Sequence, residues 1–161
     1  MMERQREARL AARLARTSDE QTLTDIILET FRLNGRLLEQ GDGMTRDLGL
    51  SSARWQVLAA VDPQPMTVAE IARRMGLRRQ SVQRTVNSLR IDGFVVLKPN
   101  PNHRRAKLVE LTDKGFVSLE EVYRRHNVWI HDFVRGLTSD ELKTTFATMS
   151  EIRQRLERAG N

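Results

Sequence analysis

"LRRQSVQRTVNSL", residues Leu77–Leu89, decides how the rest of the chain reads. Val82, Val86 and Leu89 recur at i, i+4 and i+7, which is one stripe of an α-helix. Around that stripe stand arginine, glutamine, serine, threonine and asparagine, and no acid. At about 100° per residue, Gln80, Arg84 and Asn87 lie nearly opposite the stripe, with Gln83 beside them and Ser81 at the N-terminal end. One face is therefore built for burial. The other offers donors and amides to something that cannot tolerate a carboxylate.

The flanks explain that face. Upstream, Thr67-Val68-Ala69-Glu70 is a capping box that opens a short helix with Val68, Ile71, Ala72 and Met75 inward, and Gly76 supplies its C-terminal turn. Downstream, Asp92-Gly93 closes the donor-rich helix. "FVVLK" (94–98) and "AKLVEL" (106–111) read as two strands around the turn-rich tip "PNPNHRR" (99–105), a hairpin. A short helix, a glycine turn, a second helix and a hairpin make a winged helix-turn-helix, whose second helix is shaped for the DNA major groove. There arginine suits guanine, glutamine and asparagine suit adenine, and serine suits either. Gln80, Ser81, Gln83, Arg84 and Asn87 are the candidate base readers, and Arg78 and Arg79 are better placed for phosphates. His103, Arg104 and Arg105 form a second candidate site, because a hairpin tip bearing guanidinium groups can reach an adjacent minor groove.

Charge supports the same reading. Between Thr67 and Lys107 there are ten basic residues and only two acids, Glu70 and Asp92, in a chain whose overall net charge is +6. The positive excess is concentrated there, which points to a polyanionic partner.

Helices flank this segment. Thr17 with Glu20 starts one that carries Leu23, Ile26, Ile27, Phe31, Leu37 and Leu38 to about Gln40, where "GDG" (41–43) stops it. Ser51-Ser52 caps another through Trp55, Val57, Leu58 and Val61. Thr112 caps a long helix running to Leu137, and Thr138 with Glu141 opens the last, with Leu142, Phe146, Met149, Ile152 and Leu156 inward. Residues 1–16, Arg- and Ala-rich, read as a loose basic arm. The fold class is thus mainly α with a small β-hairpin wing.

Other classes find little support. The 161 residues include no cysteine, which excludes disulfides, thiolate zinc sites and thiol redox sensing. His126 and His131 are five apart and do not form an i, i+4 metal pair, so no metal or other cofactor is expected. Nucleophile-base-acid arrangements and phosphate loops do not occur, so the chain does not read as an enzyme. No apolar run reaches the ~20 residues of a membrane span, and "MMERQREARLAARLAR" lacks the apolar core of a secretory signal, so a cytoplasmic location is expected.

"MTVAEIARRMGLRRQSVQRTVNSLRIDGFV" (66–95) and "NPNHRRAKLVELTDKG" (100–115) resemble the multiple-antibiotic-resistance regulator (MarR) family of bacterial and archaeal transcription factors. The resemblance implies one MarR-like domain over 1–161. It would comprise a flexible basic arm (1–18), dimerisation helices (19–41 and 112–158) and a winged helix-turn-helix (51–111). It implies a triangular homodimer whose first, fifth and sixth helices interlock, with two winged domains on a pseudopalindromic double-stranded DNA operator. It implies a prokaryotic host and a repressor released by a small aromatic or anionic ligand. Ser81 and Arg84 fall where members touch DNA from the recognition helix, and Arg105 falls where the wing arginine enters the minor groove. Phe31, Trp55 and Tyr123 sit on helices that flank the family's ligand crevice. The family wing usually carries Asp-x-Arg, the acid orienting the arginine; here His103 stands in the acid's place. A neutral histidine there can accept from the arginine and a protonated one repels it, but attraction of the added charge to DNA is expected to outweigh both, so operator affinity should rise modestly as pH falls from about 8 to about 6. The alternative reading is a winged-helix module used for protein or RNA contacts without operator binding.

Overall fold

The computed structural model describes residues 1–7, 16–103 and 105–159. Residues 8–15 of the expected arm lie outside the described residues, as does Arg104, and residues 2–7 of that arm are helical. Residues Met1–Glu120 and Glu121–Asn161 form two compact units.

The first unit opens with α1, Ser18–Thr45, whose start is the expected capping box: the Thr17 hydroxyl accepts from Glu20 N–H and the Glu20 carboxylate from Thr17 N–H. The helix does not stop at "GDG" but runs to Thr45, then tightens into a 3-10 turn at Arg46–Leu48. Gly41 is there for contact, not for termination. It is buried, and a Cβ on it would sit 2.2 Å from Ser52 Oγ and 3.4 Å from Trp55 Nε1. Its absence lets α2, Ser52–Val61, cross α1 closely. Ser51 makes no side-chain cap; instead Asp42, the residue after Gly41, accepts from Ser52 N–H at 2.6 Å, while Ser52 Oγ donates to Leu38 O. The second helix is thus capped by the first.

Strand β1, Met66–Thr67, was not expected from sequence, being only two residues long. It precedes α3, Val68–Met75, and α4, Arg79–Ile91. Strands β2, Val95–Lys98, and β3, Leu108–Leu111, form the hairpin, and the sheet order is β1-β3-β2, all antiparallel. Val57, Leu58, Val61, Ile71, Val82, Val86, Leu89, Phe94, Val95 and Val109 are buried, so the α4 stripe meets the core as its spacing predicts.

The turn between α3 and α4 is set by Gly76 at φ 64°, whose N–H and that of Leu77 return to the last carbonyls of α3. At the other end of α3, Thr67 and Glu70 cap each other, and these hydrogen bonds lower the Glu70 pKa. We expect Thr67→Ala to cost about 1 kcal/mol in chemical denaturation. Because the folded Glu70 pKa is lowered, this contribution is present above the ordinary carboxylate range and fades as pH falls through the lowered value. The gap between wild type and Thr67→Ala should therefore narrow in acid. An equal gap at neutral and strongly acidic pH would refute the bond that the Thr67 hydroxyl donates to the Glu70 carboxylate.

Helix α5 is Asp113–Phe133, four residues shorter than its expected end at Leu137, and its start is fixed by Thr112, whose hydroxyl accepts from Gly115 N–H. In the Glu121–Asn161 unit, the expected capping box of Thr138 and Glu141 opens α6, Ser139–Ala159. The stripe of α6 is not inward in this chain. None of its residues is buried, and Phe146 is 75% exposed. Helix α1 likewise exposes Leu23, Ile27, Leu37 and Phe31, the last by 71%. The periodicity is real, but the described residues of each unit leave these side chains exposed.

Candidate nucleic-acid interface

Helix α4 presents the surface that its sequence implied. Arg78, Arg79, Gln80, Arg84 and Asn87 are exposed, while Ser81 and Gln83 are half-buried at its flank. Gln83 Nε2 donates to Asn87 Oδ1 at 3.1 Å, which fixes the two amides relative to each other one turn apart. Arg78 occupies the N-cap without a side-chain hydrogen bond, and the first turn carries no acid. The N–H groups at that end therefore lack a side-chain acceptor of their own, which suits an incoming anion.

Both acids of the basic segment are occupied elsewhere. Glu70 is folded back into the α3 capping box. Asp92, just past the end of α4, takes Arg54 NH2 of α2 at 2.5 Å, and its carbonyl takes Lys114 Nζ at 2.7 Å. Lys114 and Arg54 also lie over the Phe94 ring, at 4.3 Å and 5.3 Å from its centroid. This cluster anchors the C-terminal end of α4 to α2 and to the start of α5. Its consequence for the site is electrostatic: the Asp92 carboxylate is paired with Arg54 and not with a cation of the α4 face.

The wing adds its own cations. Arg105 and Lys107 join Arg79 and Gln83 of α4, together with Thr67 and Val68 at the start of α3, around a concavity of about 210 Å³. Sequence reading counted Lys107 among the basic residues but did not single it out. Only the hairpin pairing, with Lys98 opposite Leu108, brings it beside α4. His103 is exposed. Its Nδ1 accepts from the backbone N–H groups of Arg105 and Ala106, at 3.2 and 3.1 Å.

The candidate ligand residues lie on three different helices. Trp55 packs beside Gly41, whereas Phe31 lies ten residues earlier on α1, about 15 Å away at the helical rise of 1.5 Å per residue. Tyr123 is half-buried and belongs to the Glu121–Asn161 unit. Among the described residues no group of three or more side chains could hold a metal ion, and no helix is long and apolar enough to cross a membrane.

A short helix, a left-handed glycine turn, a donor-faced second helix and a three-stranded wing define a winged helix-turn-helix of the DNA-binding kind. The model of the MarR family matches residues 48–106. An uncharacterized protein of Mycobacterium tuberculosis, Rv2011c, is 37% identical over 108 residues, which is 67% of this chain and 74% of that one. The HTH-type transcriptional regulator TcaR of Staphylococcus aureus is 27% identical over 144 residues, 88% of this chain and 93% of its own. Among solved structures, the Mycobacterium tuberculosis transcriptional regulator MOSR, in complex with DNA, superposes with a TM-score of 0.67. It is 23% identical and covers 81% of this chain and 96% of that one. The chain belongs to the MarR family of transcription regulators.

Proposed function

We propose that this protein is a sequence-specific, double-stranded DNA-binding regulator that acts as a homodimer on a pseudopalindromic operator. The observation that carries the reading is the α4 face: five exposed donors or amides, no free acid beside them, and the wing cations Arg105 and Lys107 converging on its first turn. Ser81, Gln83, Arg84 and Asn87, with Gln80, read base edges in the major groove, and Arg78 and Arg79 hold phosphates. Arg105, with its neighbours at the wing tip, enters the minor groove. The test is a titration of duplex DNA from the protein's own upstream region at several salt concentrations. Operator binding should exceed binding to scrambled duplex by a factor of 10³ or more, on the order of specific regulators generally. Equal affinity for both would favour the module for protein or RNA contacts.

The dimer rests on the apolar faces left open. Seven large apolar side chains of α1, and several on each of α5 and α6, are exposed, and soluble monomers rarely leave so many apolar side chains on one helix open to water. Sedimentation at micromolar concentration should give a dimer, and Phe31→Glu combined with Phe146→Glu should shift it toward monomer. A wild-type chain that sediments as a folded monomer would rule the dimer out. Repression, and release by a small aromatic or anionic compound near Phe31, Trp55 or Tyr123, extend the same proposal. A reporter driven by the operator, with and without benzoate-type compounds, tests both.

A further inference from the structure

We propose that His103 is the positioning residue of the wing tip, that it works only as the neutral imidazole protonated on Nε2, and that operator affinity therefore falls in mild acid. This inference rests on the wing contact with DNA proposed above. The tip is a closed set of local bonds. Asn100 Oδ1 accepts from Asn102 N–H at 2.9 Å, and Asn100 O accepts from His103 N–H at 3.2 Å. His103 Nδ1 then accepts from both Arg105 N–H and Ala106 N–H. One ring nitrogen thus turns the chain between the tip and β3 and sets the backbone from which the Arg105 side chain leaves.

An acceptor at Nδ1 must carry a lone pair. When Nδ1 takes a proton it becomes a donor facing two donors, and both bonds are lost together. The charged side chains grouped with the wing do not compensate. Arg105 and Lys107 on the hairpin, Arg79 of α4 and Lys98 at the end of β2 are all cations. The nearest acids along the chain are Asp92, paired with Arg54, and Glu110 on β3. Protonation does add a positive charge that DNA attracts. It adds it to a segment already in large positive excess, and it releases the backbone that aims Arg105. The geometry thus reverses the net rise in affinity toward acid expected from the sequence.

The experiment compares four proteins on the operator between about pH 8 and about pH 5.5 at fixed salt: wild type, His103→Asn, His103→Ala and Arg105→Ala. Asparagine places a non-titrating acceptor where Nδ1 stands. Wild type should lose about tenfold in affinity toward acid. His103→Asn should stay near the wild-type value of high pH and remain flat. His103→Ala should be about tenfold weaker throughout, and also flat. In the DNA-free protein, the amide resonances of Arg105 and Ala106 should shift together with titration of the His103 ring. Wild type that parallels His103→Asn, or Arg105 and Ala106 amides that ignore the ring, would overturn the inference while leaving DNA binding intact. Unchanged affinity in Arg105→Ala would instead overturn the wing contact itself.

Discussion

Arg84→Ala should abolish operator discrimination while leaving the protein folded. Arg84 is exposed at the middle of α4, nearly opposite the buried Val82, Val86 and Leu89. Truncating it opens no cavity, so the circular dichroism spectrum and the melting temperature should stay within the small range of a surface substitution. Its guanidinium is suited to the two acceptors of one guanine, a contact that contributes about 1–3 kcal/mol of discrimination. A two-fold dimer makes it twice, so the expected loss is about 2–6 kcal/mol, or between about 30-fold and 10⁴-fold in operator affinity. Binding to scrambled duplex should fall far less, because the phosphate contacts proposed for Arg78 and Arg79 would not read sequence. Arg79→Ala provides the contrast: it should weaken both duplexes alike and reduce the salt slope by about 0.9 per lost contact in each half-site. If Arg84→Ala keeps wild-type affinity for the operator, α4 is docked in another register and its readers lie elsewhere.

Gly115→Ala should destabilise the winged domain without touching any proposed DNA contact. Gly115 is buried in the first turn of α5, where a Cβ would lie 2.1 Å from the backbone oxygen of Phe94 and 3.1 Å from its carbonyl carbon. A backbone atom cannot swing aside as a side-chain tip can, so the helix start and the strand entry must separate. That separation strains the Thr112 bonds to Phe94, and overpacking of this kind costs about 1–3 kcal/mol. The melting temperature should drop by about 2–4 °C for each kcal/mol. Operator affinity at a temperature where the variant is folded should change much less than in Arg84→Ala. A melting temperature equal to wild type would show that the approach of Gly115 to Phe94 is looser than described.

The two substitutions separate what each level of structure decides. Local periodicity was enough to place α4, because three apolar residues on one stripe and a carboxylate-free opposite face form a pattern that few other structures satisfy. Capping boxes at Thr17, Thr67 and Thr138 were legible for a similar reason. A hydroxyl and a glutamate three residues apart close their bonds within one turn, with no need of distant partners. The hairpin followed from β-branched runs on either side of a turn-rich tip.

Where a residue's role depends on what crosses it, the sequence could not say. "GDG" reads as a helix stop because glycine is a poor helix former; α1 continues because α2 packs against Gly41 and draws its cap from Asp42. The two-residue β1 has no pattern to find, and it exists only because β3 lies beside it. Lys107 joined the interface through strand pairing, and Asp92 left it through Arg54, a residue 38 positions away. His103 was legible as a departure from the family's acid, but not as an acceptor for two backbone N–H groups. By itself the sequence determined the helices, the wing and the donor-rich face, since these depend on neighbours within a turn or two. Tertiary structure alone decided which glycines allow contact, that Asp92 is paired away from the donor-rich face and how the wing tip is held, because those depend on atoms brought together from distant parts of the chain or on the backbone path of a turn.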